Sequence, residues 1–154
     1  YLAQLEEKGK LKAIVTQNID GLHQKAESKN VLELHGTIYE NNCMKCGKSY
    51  DASYVFESSG IPKCSCGGII KPDVVLYEEA LDDGIVDEAV YRISKAELLI
   101  VAGTSLTVYP ASSFVRYFKG KYLVIINNDK TSYDGMANLV IHDKIGNVFS
   151  KLKI

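Results

Sequence analysis

A set of short apolar runs limits what this chain can become: Ala13-Ile14-Val15, Val31-Leu32-Glu33-Leu34, Leu98-Leu99-Ile100-Val101-Ala102, Tyr122-Leu123-Val124-Ile125-Ile126 and Leu139-Val140-Ile141. They are nearly continuous and rich in β-branched residues, which predicts strands covered on both faces, as in parallel sheets. Between them the pattern turns helical. Asp82 to Ala96 spaces Ile85, Val86, Ala89, Val90 and Ile93 at helical offsets, and Pro110 to Phe118 is a shorter candidate with proline in its first turn. Leu2 and Leu5 suit a helix over Tyr1 to Lys8 that stops at Gly9. Strands alternating with helices predict an open α/β sheet.

Residues 39–72 break that rhythm and hold all four cysteines: Cys43 and Cys46, then Cys64 and Cys66. No basic-then-apolar leader opens the sequence, so the cysteines read as a metal site rather than as disulfides. Two short cysteine pairs on separate turns can give zinc four thiolates. Gly47 follows the first pair and Gly67-Gly68 the second, letting the backbone curl toward the sulfurs. The second pair is Cys-x-Cys, which demands a tighter turn than Cys-x-x-Cys. Four thiolates close the coordination shell, so one structural zinc is expected, not a catalytic one. The expected organisation is a main domain of residues 1–38 and 73–154, with a small zinc module of residues 39–72 inserted in it.

The chain has 154 residues and a formal net charge of −1. Nothing in that balance points to nucleic acid or to an anionic membrane. The longest apolar run, Leu98–Ala102, is far too short to span a bilayer. A soluble cytoplasmic protein is expected.

Ligands of open α/β sheets bind at the carboxyl ends of the strands. Polar residues gather there in this sequence. Gln17, Asn18 and Asp20 follow the first run, His35-Gly36 the second, Gly103-Thr104-Ser105 the third, and Asn127-Asn128-Asp129 the fourth. Together they suit a polyol or a nucleotide, with Gly103 leaving room for a phosphate and Ser105 offering a hydroxyl. Each also has a plainer reading. Asn and Asp after a strand form turns, a lone histidine is more often packed than catalytic, and Gly-Thr-Ser can simply cap a helix.

The strings "TQNIDGLHQKA", "ELHGT", the cysteine quartet, "KPDVVLYEE", "VAGTSLTVYPA" and "IIN" occur in that order. They resemble the sirtuins, NAD-dependent protein-lysine deacylases, from Thr16 to Asp143. The resemblance implies a Rossmann-like, mostly parallel sheet with a zinc-ribbon-like insertion, NAD as co-substrate, and acetylated lysine peptides or proteins as substrates. It implies that His35 is the general base, with Asn18 and Asp20 beside it in the catalytic set. Gln17 and Asn18 then contact ribose hydroxyls, while Ile19 and Asp20 hold the nicotinamide carboxamide. Gly103, Thr104 and Ser105 run beside the phosphates and the adenosine ribose. Asn127, Asn128, Asp129 and Lys144 complete the nucleotide contacts. An extended peptide adds as a strand between Val74-Val75-Leu76-Tyr77 and Val108-Tyr109, with Val75 and Tyr77 walling the acyl-lysine tunnel. Gln17, Asn18, Asp20, His35 and Ser105 are thus expected on one sugar-sized cleft.

The sequence departs from the family at Glu78, where glycine is common, and at Lys71, where arginine is usual. The family's Gly-Ala-Gly-x-Ser loop and Gly-Ile-Pro-x-Phe-Arg segment do not occur; Gly60-Ile61-Pro62 lies between the cysteine pairs. The first central strand of the family's sheet is therefore expected to be missing, and these residues alone are expected to bind NAD weakly and turn over little. The alternative reading is a non-catalytic zinc-ribbon interaction module. A nicotinamide dehydrogenase is disfavoured, since no Gly-x-Gly-x-x-Gly follows any strand.

Overall fold

Every one of the apolar runs forms a strand in the computed structural model, which describes residues 1–153. In chain order the elements are α1 (Leu2–Glu7), β1 (Ile14–Thr16), α2 (Leu22–Lys25), β2 (Val31–Glu33), β3 (Gly36–Cys43), β4 (Ser49–Asp51), α3 (Ala52–Phe56), β5 (Ile70–Val74), α4 (Asp83–Lys95), β6 (Leu98–Ala102), a 3-10 helix (Ala111–Tyr117), β7 (Tyr122–Ile126), a 3-10 turn (Asp134–Met136), β8 (Leu139–Ile141) and α5 (Ile145–Lys151). The fold is mixed α/β with parallel sheets. The chain divides into two compact units, Ile14–Ile85 and Tyr1–Ala13 together with Val86 onward.

In the unit Ile14–Ile85, β1 and β2 run parallel, with Ile14 opposite Val31 and Thr16 opposite Glu33. The ladder continues past both ends: the Ile14 N–H donates to the Asn30 carbonyl at 2.8 Å, and the Leu34 N–H to the Thr16 carbonyl at 2.9 Å. Ile14 and Leu34 are buried. The second sheet is antiparallel, in the order β4-β3-β5. Its central strand is polar, and its register shifts between Thr37 and Asn41. The irregularity turns Asn41 inward, where its Nδ2 donates to the Ile38 carbonyl at 3.3 Å. Pro72 sits in β5, which among the described residues is an edge strand beside β3, the place where a sheet tolerates proline.

In the other unit, β6-β7-β8 form a parallel sheet, with Ala102 opposite Ile126 and Ile126 opposite Ile141. Leu106, Val115, Leu123, Ile125 and Tyr133 form the buried core, and Leu99, Val101, Phe118, Ala137 and Val140 pack against it. Here the expectation of coverage on both faces is corrected. Leu98 is 49% and Ile100 37% exposed. β6 is an edge strand of its sheet, its side chains alternate between faces, and only Leu99 and Val101 reach the core. The short helix read from Pro110 to Phe118 is also a tighter one than expected. Ser113 Oγ donates back to the Pro110 carbonyl at 2.7 Å, a local bond that competes with α-helical pairing. Among the described residues, no helix is long and apolar enough to cross a membrane.

Candidate active site and metal centre

The four cysteines meet at one point. Cys43 and Cys66 Sγ are 3.5 Å apart, Cys46 and Cys64 Sγ 3.6 Å, and Cys46 and Cys66 Sγ 3.5 Å. All four sulfurs lie within 4.8 Å of one another. A tetrahedral zinc with bonds near 2.3 Å sets its sulfurs about 3.8 Å apart. The quartet therefore fits a single structural zinc. The unequal cysteine spacing has a backbone counterpart. The Gly47 N–H donates to the Cys43 carbonyl at 2.9 Å, while the Gly67 N–H donates to the Cys64 carbonyl at 2.8 Å. The Cys-x-Cys turn closes one residue sooner, and each turn ends on a left-handed glycine, Gly47 with φ 71° and Gly67 with φ 81°. A Cβ on Gly68 would lie 2.6 Å from the Cys43 sulfur.

Crowding sets the thiols apart. The Cys66 N–H and the Tyr50 hydroxyl pull Cys64 down to about 5. The Gly68 N–H pulls on Cys66 too, but its contacts with Cys64, Cys46 and Cys43 outweigh that and push it up to about 12. A divalent cation removes the conflict, because each sulfur can then give up its proton.

The loops after β1 and β2 meet where the His35 ring reaches the Gln17 main chain, in the unit Ile14–Ile85. The Asn18 N–H donates to Thr16 Oγ1 at 3.1 Å, which bends the chain off the strand. One Asp20 oxygen accepts the Leu22 N–H at 3.1 Å, so the turn-forming reading of Asp20 holds for that oxygen. Gly21 follows at φ 62°, where a Cβ would lie 2.6 Å from the Tyr39 ring. The Ile38 N–H donates to the Ile19 carbonyl at 3.2 Å, tying this loop to β3. His35 leaves the end of β2 half-buried, and its Nδ1 lies 3.0 Å from the Gln17 carbonyl oxygen. A carbonyl only accepts, so Nδ1 is the donor, and of the two neutral tautomers the bond selects the one with its lone pair on Nε2. Gly36, with φ 73°, comes next, and a Cβ there would lie 1.9 Å from the Asp73 carbonyl oxygen. Only glycine lets β3 and β5 close up beside the imidazole.

The segment Val74–Tyr77 passes the same histidine. Val74 pairs with Gly36, and the Val75 N–H donates to the His35 carbonyl at 3.0 Å. The chain then leaves the sheet and turns over Leu76–Glu79, with Glu78 at φ 71° and Tyr77 95% exposed. Lys71 and Glu79 hold this turn, a role the sequence reading did not give them. Glu79 stands three residues after Leu76 and its carboxylate accepts the Leu76 N–H, but Leu76 has no side-chain acceptor to complete a capping box, so the residue types alone give no signal of the contact.

The remaining candidates belong to the other unit. Gly103 follows β6 with φ 64°, and its N–H donates to the Ile126 carbonyl at 3.0 Å. Thr104 Oγ1 accepts the Leu106 N–H at 3.2 Å, and Ser105 and Thr107 hydroxyls lie 2.7 Å apart. These residues open a loop; the helical turn that follows is capped by Pro110, so Gly-Thr-Ser is not its cap. Val108 and Tyr109 are exposed in the same loop. Asn127 Nδ2 donates to the Asp129 carbonyl at 2.9 Å, and the Asn127 carbonyl faces His142 Nδ1 at 3.1 Å. His142 Nε2 in turn lies 3.6 Å from an Asp134 oxygen. Asn128, Asp129 and Lys144 are exposed. Lys144 caps α5, its N–H bound by Asp143 at 2.7 Å.

The model of the Sir2 family matches residues 1–110. The chain belongs to the Sir2 family. An NAD-dependent protein deacetylase of Clostridium acetobutylicum is 64% identical over 149 residues, which is 96% of this chain and 61% of that protein. The corresponding deacetylase of Clostridium perfringens is 60% identical over 153 residues, 98% of this chain and 63% of that protein. A solved Sir2 structure with a p53 peptide and NAD+ superposes with a TM-score of 0.90 at 41% identity, over 97% of this chain and 65% of that one. The chain thus spans about three-fifths of the length of the curated relatives it matches.

Proposed function

We propose that this chain supplies the nicotinamide-ribose and acyl-lysine contacts of an NAD-dependent protein-lysine deacetylase, the activity named for its relatives. With one water consumed, the products are nicotinamide, the free lysine and O-acetyl-ADP-ribose. The observation that carries this reading is the His35 imidazole, whose Nδ1 is committed to the Gln17 carbonyl and whose Nε2 keeps a lone pair in the neutral ring. NAD supplies the ribose carbon that takes the acyl oxygen, and the nicotinamide that leaves. His35 Nε2 accepts the proton of a ribose hydroxyl. Gln17 and Asn18 bind the ribose, and Asp20 with Ile19 holds the carboxamide. Gly103, Thr104, Ser105, Asn127, Asn128, Asp129 and Lys144 contact the rest of the nucleotide. An acetylated peptide adds as a strand along Val74–Tyr77 and Val108-Tyr109. Residues 39–72 act as a zinc module inserted in a Rossmann-like domain of residues 1–38 and 73–154. A cytoplasmic location goes with cysteines kept for metal.

The test mixes the full gene product with NAD and an acetyl-lysine peptide and measures nicotinamide. Release that depends on the peptide is expected. No release, or a rise in NADH absorbance in its place, overturns the reading.

A further inference from the structure

We propose that Lys71 and Glu79 form a latch that fixes the course of Val74–Tyr77 past His35, and so sets the register of the peptide that adds there. Both are positioning residues. The inference rests on the function proposed above, since it concerns how that peptide site is held.

After Val74 no ladder among the described residues supports the chain. Among the described residues β5 pairs with β3 on one side only, and beyond it the Val75 N–H on the His35 carbonyl links the chain back to that sheet. A segment so placed would sample many conformations, and a peptide adding to it would have to order it at each encounter. The latch removes that cost. Lys71 Nζ donates to the Val74 carbonyl at 2.9 Å and to Glu79 Oε2 at 3.0 Å. The same Glu79 oxygen accepts the Leu76 N–H at 2.9 Å, and the Glu79 N–H donates to the Leu76 carbonyl at 3.1 Å. One ammonium and one carboxylate thus fasten the residues on both sides of Val75. The Leu76 N–H and the Lys71 ammonium also hold the Glu79 carboxyl below the usual carboxylate range.

Stability is a poor account of this arrangement. The two side chains are 30% and 45% exposed, and ion pairs in that setting add little to folding. What they do fix is geometry. Val75 is bonded to the main chain of His35 itself, so a shift of the segment moves the peptide relative to the imidazole.

The experiment uses the zinc-loaded full gene product and measures nicotinamide release against peptide and against NAD separately. Lys71→Ala and Glu79→Ala are expected to raise the peptide KM about five- to tenfold, with the NAD KM changed by less than about twofold and the urea midpoint nearly unmoved. Lys71→Arg should stay near wild type, because a guanidinium serves both acceptors. Glu79→Gln keeps an acceptor for Leu76 but loses the charge, and should fall between. An unchanged peptide KM in both alanine variants overturns the latch. So does an equal rise in both KM values together with a lowered urea midpoint, which would mean a merely structural role. A wild-type protein that releases no nicotinamide overturns the functional reading instead, and the latch falls with it.

Discussion

His35 points its Nδ1 at the main-chain oxygen of Gln17, 3.0 Å away, and so gives its two ring nitrogens different tasks. The bond fixes the tautomer through a group that no side-chain substitution at Gln17 removes. His35→Ala should therefore lower nicotinamide release by at least about 100-fold, the usual weight of a general base, with zinc content unchanged. Gln17→Ala should leave the imidazole oriented, so any loss it causes reports the amide's own contact with substrate. Kinetics with metal analysis on both variants checks this; an active His35→Ala variant would remove the histidine from the mechanism.

Two of the four cysteines are also most of a small core. Cys43, Cys64 and Ile70 are its buried members, with Tyr50 and Val55 packed against them. Two thiols and one isoleucine bury too little apolar surface to order Gly36–Val74 by themselves. The protein should carry one zinc per chain. Its removal by a chelator, or Cys64→Ser, should open the exposed stretch around Phe56 and Ile61 to proteolysis. Equal protease resistance with and without metal would show that the sheet β4-β3-β5 stands without it.

A third prediction concerns acid. The Thr131 hydroxyl, 2.6 Å from Asp134 Oδ1, and then the Thr131 N–H hold the Asp134 carboxyl below its usual range. The folded form thus binds this proton less readily than the unfolded chain. The contribution is complete above the ordinary carboxylate value, near about 4, and is lost as the pH falls through the lower folded value. Urea midpoints measured from pH 7 down to pH 3 should fall more steeply for the wild type than for Asp134→Asn. Parallel curves would mean that the turn over Thr131–Asp134 does not depend on the charge.

The sequence disclosed the parallel strands because their apolar runs are continuous, and it disclosed the metal centre because thiols at that spacing have few other uses. It hid the antiparallel sheet. β3 reads Gly-Thr-Ile-Tyr-Glu-Asn-Asn-Cys, and a register shift between Thr37 and Asn41 breaks the alternation that would mark a strand. α5 was hidden for another reason: Gly146 and Val148 are poor helix formers, and the helix is held at its start by Asp143, which binds Lys144 and Asn147. Within the site, the residue types were legible but their supports were not. The Gln17 carbonyl under His35, the Asp73 carbonyl against Gly36 and the Glu79 carboxylate on Leu76 are contacts made by folding, and the side-chain pattern does not announce them.

Two left-handed positions on either side of β5, Gly36 and Glu78, should respond in opposite directions. Gly36 has φ 73° and no room for a Cβ, which would meet the Asp73 carbonyl oxygen at 1.9 Å. Gly36→Ala adds backbone strain of about 1–3 kcal/mol to that clash, and β3 and β5 must separate to relieve it. The His35 carbonyl is bonded to Val75 across this gap, so activity should fall along with stability. Glu78 has φ 71° and carries a side chain where glycine would be at ease. Glu78→Gly should relieve about 1 kcal/mol of left-handed strain, partly offset by the greater freedom glycine gains in the unfolded chain. Its urea midpoint should rise or hold steady, while Gly36→Ala lowers it. If Glu78→Gly destabilises the protein by more than the entropy of a glycine, the Glu78 side chain makes a contact that its backbone angle does not reveal.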